Sequence, residues 1–274
     1  MAMYKLRYWQ TVPVVVLSAI TSTLTLASFA SAATFAGVSS VFEFSNFSRS
    51  PLTTATDADT DTISIALGGG SAIAKAEAAA RFNIPLALAG NEIISTAEGN
   101  GYSYLGLAQS QASISGVFEL AAQETLSFDF KGVLTLAAAI DDSNTEFAFA
   151  LGRLGFALFG ETASQPEALL DSLDVFATLT TPGNGDIYEF LIAGNPGSLA
   201  IEQFERQTGG PGEFLNLRFK GRYSRTFKEP TLVSLVETKT GVAEVQAVPT
   251  PSLIWGIMTY GGLGFVRKLR QRVD

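Results

Sequence analysis

Apolar and polar residues alternate along most of the 274-residue chain, and the alternation is clearest from residue 102 onward. Successive side chains of a β-strand point to opposite faces of its sheet, so a period of two predicts strands with one apolar face. Three long runs follow this pattern, at 102–120, 125–141 and 145–160. In the second run the pattern places Phe128, Phe130 and Val133 toward the interior and Asp129 and Lys131 toward solvent.

Shorter runs with the same alternation occupy much of the remaining chain. They are found at 41–48, 174–180, 187–193, 198–205, 212–227 and 232–236. Turns rich in Gly, Pro, Asn or Asp separate several of them, as expected between strands of an antiparallel sheet.

Two stretches have a less certain secondary structure. The alanines between Ala74 and Phe82, together with the Glu77–Arg81 spacing, suit a helix, whereas the period of two suits a strand. We prefer the strand because its neighbours are strands. A short helix is predicted from Ser164 to Leu173, where a capping serine is followed by an early proline, Pro166, and an early acid, Glu167.

The pattern as a whole predicts an all-β fold with about nine to eleven strands. Hairpins in sequence favour an antiparallel β-sandwich of jelly-roll-like topology, flanked by an N-terminal signal helix and a C-terminal transmembrane helix. We expect the sandwich domain to span residues 33–240 and a linker to occupy residues 241–247.

Residues 1–32 have the three parts of a cleaved secretory signal. Lys5 and Arg7 provide the positive end, an apolar stretch follows, and Ala30-Ser31-Ala32 is a small-x-small processing site. The alternative, a retained membrane anchor, would need about 20 apolar residues, and this stretch is shorter. We therefore predict export, with cleavage before Ala33.

The last 27 residues, 248–274, have a different three-part design. A proline-containing motif, Val248-Pro249-Thr250-Pro251, ends the preceding structure. An apolar segment without charges, predicted to be transmembrane, follows at 252–266. A basic end at 267–272 completes the tail, with the cations Arg267, Lys268, Arg270 and Arg272.

Composition excludes several kinds of chemistry. The chain has no cysteine and no histidine, which excludes disulfides, a thiol nucleophile and histidine as a general base or metal ligand. It has 26 acidic and 18 basic residues, with several of the basic ones in the two terminal segments. The acidic middle region argues against a nucleic-acid partner, which requires a basic surface.

Two groups of acidic residues are candidate calcium ligands. Asp57, Asp59 and Asp61 alternate within a Ser/Thr-rich stretch that we expect to be a loop, so three carboxylates would converge there. The group lacks the glycine and distal glutamate of an EF-hand, and a solvated acidic loop is the other interpretation. A second group, Asp141, Asp142, Asn144 and Glu146, suits a polar hairpin or a metal site in the same way.

Basic residues concentrate on one predicted strand near the end of the domain. Arg218, Lys220 and Arg222 alternate there, and Tyr223 adds an aromatic ring. These four residues are candidate contacts for an anionic polysaccharide. A solvated sheet face, whose cations pair with acidic residues on neighbouring strands, is the alternative.

The proline motif, glycine-interrupted apolar segment and basic end resemble the PEP-CTERM sorting domain of Gram-negative bacteria. The resemblance covers the tail alone, and Thr250 stands where that family usually has glutamate. It implies recognition by an exosortase, cleavage near the motif and only transient membrane anchoring. It also implies a cell-surface or extracellular destination, in bacteria that often make exopolysaccharide. The β-rich middle is similar to the cargo such tails carry, particularly in cyanobacteria.

Three functions are compatible with these features. We prefer an exported, non-catalytic surface or extracellular-matrix protein associated with exopolysaccharide or biofilm, which needs no cofactor and meets signal peptidase and exosortase on its route. The first alternative is a calcium-dependent carbohydrate-binding module. The second is a glycoside hydrolase or lyase, which would need two carboxylates in one cleft at about 5–10 Å.

Overall fold

The computed structural model describes residues 34–142, 145–181, 187–194, 197–208 and 212–247. These residues form 12 β-strands and one short 3₁₀ helix at Ile84–Leu86. The strands are β1 (Thr34–Ser45), β2 (Thr53–Ala66), β3 (Ser71–Asn83), β4 (Leu88–Asn100), β5 (Tyr104–Leu120), β6 (Thr125–Ala139), β7 (Glu146–Thr162), β8 (Gln165–Thr181), β9 (Ile187–Gly194), β10 (Ser198–Gln207), β11 (Gly212–Thr226) and β12 (Thr231–Ala247). The predicted signal and sorting tail, residues 1–32 and 248–274, lie outside the described residues.

The strands form two six-stranded antiparallel sheets that face each other. Sheet A has the order β10-β11-β6-β1-β4-β3, and sheet B has the order β2-β5-β12-β7-β8-β9. The central strands of the two sheets, β1 and β4 in sheet A and β12, β5 and β7 in sheet B, pack across the interior. The predicted all-β, antiparallel fold is confirmed, with slightly more strands than expected.

No helix in the described part of the chain is both long enough and apolar enough to cross a membrane.

Alternation decides which side chains reach the interior. On β6, Phe128, Phe130 and Leu134 are buried, while Asp129 and Lys131 face outward, as predicted. The inward placement of Val133 is wrong, because the register of β6 with β1 and β11 continues without a bulge. Val133 therefore shares the outer face with Asp129 and Lys131.

Aromatic rings fill one region of the interior, here named the aromatic cluster. Its ring centroids are separated by distances such as 4.9 Å for Phe42–Phe44 and 5.2 Å for Phe130–Phe156. Gly132 makes room for it, since a Cβ there would lie 2.3 Å from Cζ of Phe219. The members are Phe42, Phe44, Phe47, Phe118, Phe128, Phe130, Phe156, Phe219 and Tyr223.

The stretch predicted to be a helix, Ser164 to Leu173, is instead the beginning of β8. β7 and β8 form a hairpin, in which the backbone N–H of Gln165 donates to Oγ1 of Thr162 at 3.1 Å. Pro166 lies where the register of the pair is irregular, a position at which a strand tolerates proline. Pairing with β7 thus overrides the local helix signal. The prediction of a strand for Ala74–Phe82 is confirmed by β3.

Two segments predicted to be irregular also belong to strands. Asp57, Asp59 and Asp61 lie on β2, not in a loop, because β2 pairs with β5 along its whole length. Residues 241–247, predicted to be a linker, form the end of β12. β12 is a central strand that pairs with β5 on one side and β7 on the other from Thr231 to Ala247, so the short strand predicted at 232–236 is extended in both directions.

Candidate functional site

Two basic residues of β11, Lys220 and Arg222, lie on the outer face of sheet A, each beside an acid. Nζ of Lys220 is 2.5 Å from Oε1 of Glu202, and Nε of Arg222 is 3.7 Å from Oδ1 of Asp129. On the neighbouring strand, Lys131 pairs with Glu43 at 2.6 Å. Because these pairs are exposed, each contributes about 0–1 kcal/mol. The predicted basic stripe is therefore a network of ion pairs across strands.

The other two predicted glycan contacts, Arg218 and Tyr223, differ from Lys220 and Arg222 in that, within the described part of the chain, neither side chain forms an exposed ion pair with an acid on the outer face. Nε of Arg218 is buried and has no hydrogen-bond partner among the described residues. Tyr223 faces the interior with 2% exposure and stacks on Phe128 at 5.0 Å. Its hydroxyl donates to Oδ2 of Asp171 at 2.8 Å, and burial raises the pKa of this hydroxyl. Tyr223 therefore belongs to the core and is not available to a ligand on the outer face.

A shallow groove of about 440 Å³ follows the charged part of sheet A. Its polar lining includes both signs of charge. The lining side chains with charge are Asp129, Lys131, Lys220 and Arg222. A groove of this kind suits a ligand that both donates and accepts hydrogen bonds better than it suits a simple polyanion.

The three aspartates of β2 lie in a row on the outer face of sheet B. Their cross-strand partners on β5 are Ser113, Gln111 and Gln109. On an extended strand, residues two apart are separated by about 6–7 Å, so these carboxylates run parallel and do not converge. A calcium ion takes about six to eight oxygen ligands. No cluster of three or more acidic residues suited to a metal is found in the part of the chain that the structure describes.

The second acidic group closes a turn. Oε2 of Glu146 accepts hydrogen bonds from the backbone N–H groups of Asp141 at 2.7 Å and Asp142 at 2.9 Å. Its Oε1 accepts from the hydroxyl of Tyr104 at 3.1 Å, and that hydroxyl also contacts Oγ1 of Thr34. The Glu146 carboxylate thus ties the start of β7 to β5, which is a structural role. Asn144 lies outside the described residues.

A group of three buried polar residues, two of them ionisable, lies in the interior and was not predicted. Glu237 and Lys239 both point inward from β12 and are 0% and 1% exposed. Asn91 faces them from β4 of the opposite sheet and is 4% exposed. We call Asn91, Glu237 and Lys239 the buried triad.

Hydrogen bonds connect the triad across the two sheets. Nζ of Lys239 donates to the backbone carbonyl oxygen of Asn91 at 2.8 Å. Nδ2 of Asn91 donates to Oε2 of Glu237. Two acceptors of the triad, Oδ1 of Asn91 and Oε1 of Glu237, have no hydrogen-bond partner among the described residues. An unsatisfied buried polar atom costs about 1–3 kcal/mol, so a group with two of them needs an explanation.

Burial moves both ionisable groups toward their neutral forms. It raises the pKa of Glu237 to about 7, against the opposing effects of Lys239 and of the hydrogen bond from Asn91. It lowers the pKa of Lys239 to about 8, against the opposing charges of Glu237, Glu92 and Glu43. A neutral amine is a nucleophile and a neutral carboxylic acid is a proton donor, so both shifts increase the fraction of each side chain that is in its reactive form.

A smaller polar contact continues the interior polar region along the same strands. Oγ of Ser95 and Oγ of Ser110 are 2.7 Å apart, and Oγ of Ser95 also donates to the carbonyl oxygen of Gly241 at 3.3 Å. Strand β4 in sheet A is therefore joined to sheet B by polar contacts at two places. The buried triad connects it to β12, and Ser95 connects it to β5 and β12.

The sequence prediction misses the triad because it places a strand only at 232–236. Val233 and Leu235 point inward. If the same alternation continues along the strand, the next two inward residues are Glu237 and Lys239. The signal is thus present in the alternation. What alternation cannot find is Asn91, which approaches from a strand in the other sheet.

No family model matches this chain, and neither the search of curated proteins nor that of solved structures finds a significant match.

Proposed function

We propose that this protein is an exported, non-catalytic surface or extracellular-matrix component associated with exopolysaccharide or biofilm. In this proposal signal peptidase removes residues 1–32 and an exosortase acts at Val248–Pro251, so that the apolar tail anchors the protein in the membrane only transiently. The mature part would be the two-sheet β domain, and a jelly-roll-like topology is proposed for it because most of its connections pass from one sheet to the other.

The observation that carries the proposal is the position of the fold between the two expected cuts. The first described strand begins at Thr34, and Ala33 is the expected first residue after signal-peptidase cleavage. The last strand ends at Ala247, and the proline motif starts at Val248. All sheet hydrogen bonds of the described strands therefore lie between the two expected cuts.

The placement of ionisable side chains supports a non-catalytic role. Glu237 and Lys239, whose pKa values burial shifts to about 7 and about 8, are enclosed between the sheets and cannot meet a dissolved substrate. The carboxylate of Glu237 has a lysine beside it, whereas a glycoside hydrolase needs a second carboxylate. The surface charges of sheet A are arranged as paired groups around a shallow groove, which suits contact with a polysaccharide.

Processing is tested by expressing the full chain in cells with and without an exosortase and measuring the mass of the product. We expect the product to begin at Ala33 in both cell types. It should lack the tail only in the cells that contain the exosortase. The variant Pro249→Ala/Pro251→Ala should retain the tail there. The matched control is Pro230→Ala, which changes a proline outside the motif and should be processed like the native chain. A tail that persists in both cell types would overturn the sorting part of the proposal.

Polysaccharide contact is tested by glycan-array binding of the secreted product. Reversing a charge in the groove, Arg222→Glu, is expected to reduce any binding of acidic glycans at least several-fold. The matched control is Arg153→Glu on sheet B, which also breaks an exposed arginine–aspartate pair, with Asp174 at 2.8 Å. Equal binding by both variants and the native protein would exclude the groove as the contact surface.

A further inference from the structure

We propose that Lys239 and Asn91 react with each other to form an intramolecular isopeptide bond, with Glu237 transferring the protons. The bond would join Nζ of Lys239 on β12 to Cγ of Asn91 on β4. It would therefore link sheet B covalently to sheet A through the interior. This inference rests on the triad alone and does not depend on export or processing.

The position of the amine beside Asn91 carries the first step of the argument. Nζ of Lys239 is held 2.8 Å from the backbone oxygen of Asn91, the residue whose side chain it would attack. The two strands are fixed in opposite sheets, so this approach is set by the fold and not by local flexibility. Holding two reactants in place in this way replaces a bimolecular encounter by a unimolecular step.

The position of the carboxyl group carries the second step. Oε2 of Glu237 accepts a hydrogen bond from Nδ2 of Asn91, the nitrogen that must leave. Glu237 and Lys239 are two residues apart on β12, so their side chains leave the strand on the same face. The acid thus contacts the leaving group and shares a strand face with the nucleophile, which suits a proton carrier between them.

The reaction balances without any oxidant or added reagent. The neutral amine of Lys239 attacks Cγ of Asn91, and the carboxylic acid of Glu237 donates a proton to the oxygen Oδ1. The carboxylate then takes a proton from the attacking nitrogen and delivers it to Nδ2. As the C–O double bond reforms, its proton returns to Glu237, the Cγ–Nδ2 bond breaks and one ammonia molecule leaves. The product is a secondary amide and Glu237 is regenerated as an acid.

The surroundings of the triad favour this reaction over hydrolysis. The inward cross-strand neighbours of Glu237 are Ile114 and Phe156, and those of Lys239 are Ala112 and Leu154. Such an apolar, enclosed site excludes competing water and favours the neutral forms of the amine and the acid. The directions in which burial moves the pKa values of both groups agree with this requirement.

The two unsatisfied acceptors are explained by the product. In the unreacted triad, Oδ1 of Asn91 and Oε1 of Glu237 have no hydrogen-bond partner among the described residues. After the reaction, the amide N–H can donate to one oxygen of Glu237, and the protonated carboxyl can donate to Oδ1. The product contains only neutral groups that satisfy each other, so neither side chain has to be buried as an ion.

The experiment is mass spectrometry of the full chain purified under native conditions and then denatured. We expect digestion to give one branched peptide that joins the segment around Asn91 to the segment around Lys239, lighter than the sum of its parts by one ammonia. A complete digest that contains both segments only as separate linear peptides of full mass would overturn the proposal.

Variants separate the chemistry from any effect on folding. Lys239→Arg and Asn91→Ala should give only linear peptides, and Glu237→Gln should lose most of the branched peptide. Asn91→Asp is the sharper variant, since its bond would form with loss of water in place of ammonia. The matched control is Lys131→Arg, an exposed lysine in an ion pair, which should leave the branched peptide unchanged. A branched peptide that persists in Lys239→Arg would also contradict the assignment.

Discussion

The aromatic cluster and the buried triad occupy the same interior but are stabilised in opposite ways. The central rings of the cluster, such as Phe156, contact several others, so the cluster resembles ordinary apolar packing, in which any one residue contributes through area and shape. The triad depends on three particular groups, two of which retain an unsatisfied oxygen. In apolar packing, the loss of stability grows gradually with the size of the substitution. In a buried polar group, removing one member leaves the others without partners and costs much of its stability at once.

The comparison also shows why the two regions would serve different purposes. Removing apolar surface from water stabilises any compact arrangement of the two sheets. A bond between Asn91 and Lys239 would stabilise only the arrangement in which β4 and β12 face each other. In a chain without cysteine, such a bond would supply the kind of covalent connection that a disulfide gives many proteins.

The largest expected effect is that of Lys239→Met. This variant keeps the side-chain volume but removes the amine, and with it the proposed bond, which closes a loop of 148 residues. By analogy with a disulfide across a long loop, we expect the free energy of unfolding to fall by about 5 kcal/mol. Denaturant titration measures the change, with Lys131→Met as the exposed control. A loss no greater than that of the control would contradict a stabilising role for the triad.

A slightly smaller loss is expected for Phe156→Ala in the aromatic cluster. Phe156 is 3% exposed and contacts Phe42, Phe44, Phe128 and Phe130. Truncating a buried phenylalanine costs about 3–5 kcal/mol, because transfer energy is lost and a cavity remains. Denaturant titration measures this loss as well.

The control for this variant is Phe204→Ala, whose ring is 43% exposed. Its expected loss is about 1 kcal/mol. Equal losses at the two positions would mean that the cluster is not the main apolar support of the sandwich.

The pH dependence of stability distinguishes a bonded triad from an unbonded one. The pKa of Glu237 is raised from 4.5 to about 7, so the folded state binds more protons in this window and stability should fall as pH rises through it. The pKa of an unbonded Lys239 is lowered from 10.5 to about 8, so stability should rise again between these values. Glu92 and Glu43 oppose the shift of the lysine without reversing it.

In the native protein we expect only the fall in stability that Glu237 causes. The rise due to Lys239 should be missing, because its nitrogen would be part of an amide and would not titrate. Asn91→Ala cannot form the bond but keeps the backbone oxygen that accepts from Lys239, so it should recover the alkaline part. Unfolding measured by denaturant at a series of pH values tests both. An alkaline rise that is the same in the two proteins would indicate that Lys239 remains a free amine.

The smallest effect is expected for Ser95→Ala, next to the triad. The substitution removes a hydroxyl that contacts Ser110 and Gly241 and leaves Ser110 with one fewer partner. A neutral hydrogen bond of this kind is worth about 1 kcal/mol. Thermal unfolding measures it, with Ser113→Ala on the outer face as the control. A loss of several kcal/mol would show that the serine contact is coupled to the triad.

Individual residues show how far the sequence leads. The alternation of β6 and β11 correctly placed Phe128, Phe130 and the outward cations Lys220 and Arg222. It also contained the sign that Tyr223 is inward, since Tyr223 has the parity of the buried Phe219. The helix signal at Ser164 and the loop signal around Asp59 failed, because strand pairing supplies backbone hydrogen bonds that local preferences cannot anticipate.

By itself, the sequence determined the all-β class, the inner and outer faces of several strands and the absence of thiol and imidazole chemistry. Each of these depends on residue type or on a period of two, which are local properties. Only the tertiary structure brought Asn91 against Glu237 and Lys239, across separations of 146 and 148 residues. The reason is physical: alternation decides which side of a strand a residue faces, but the pairing order of the sheets decides what it meets there.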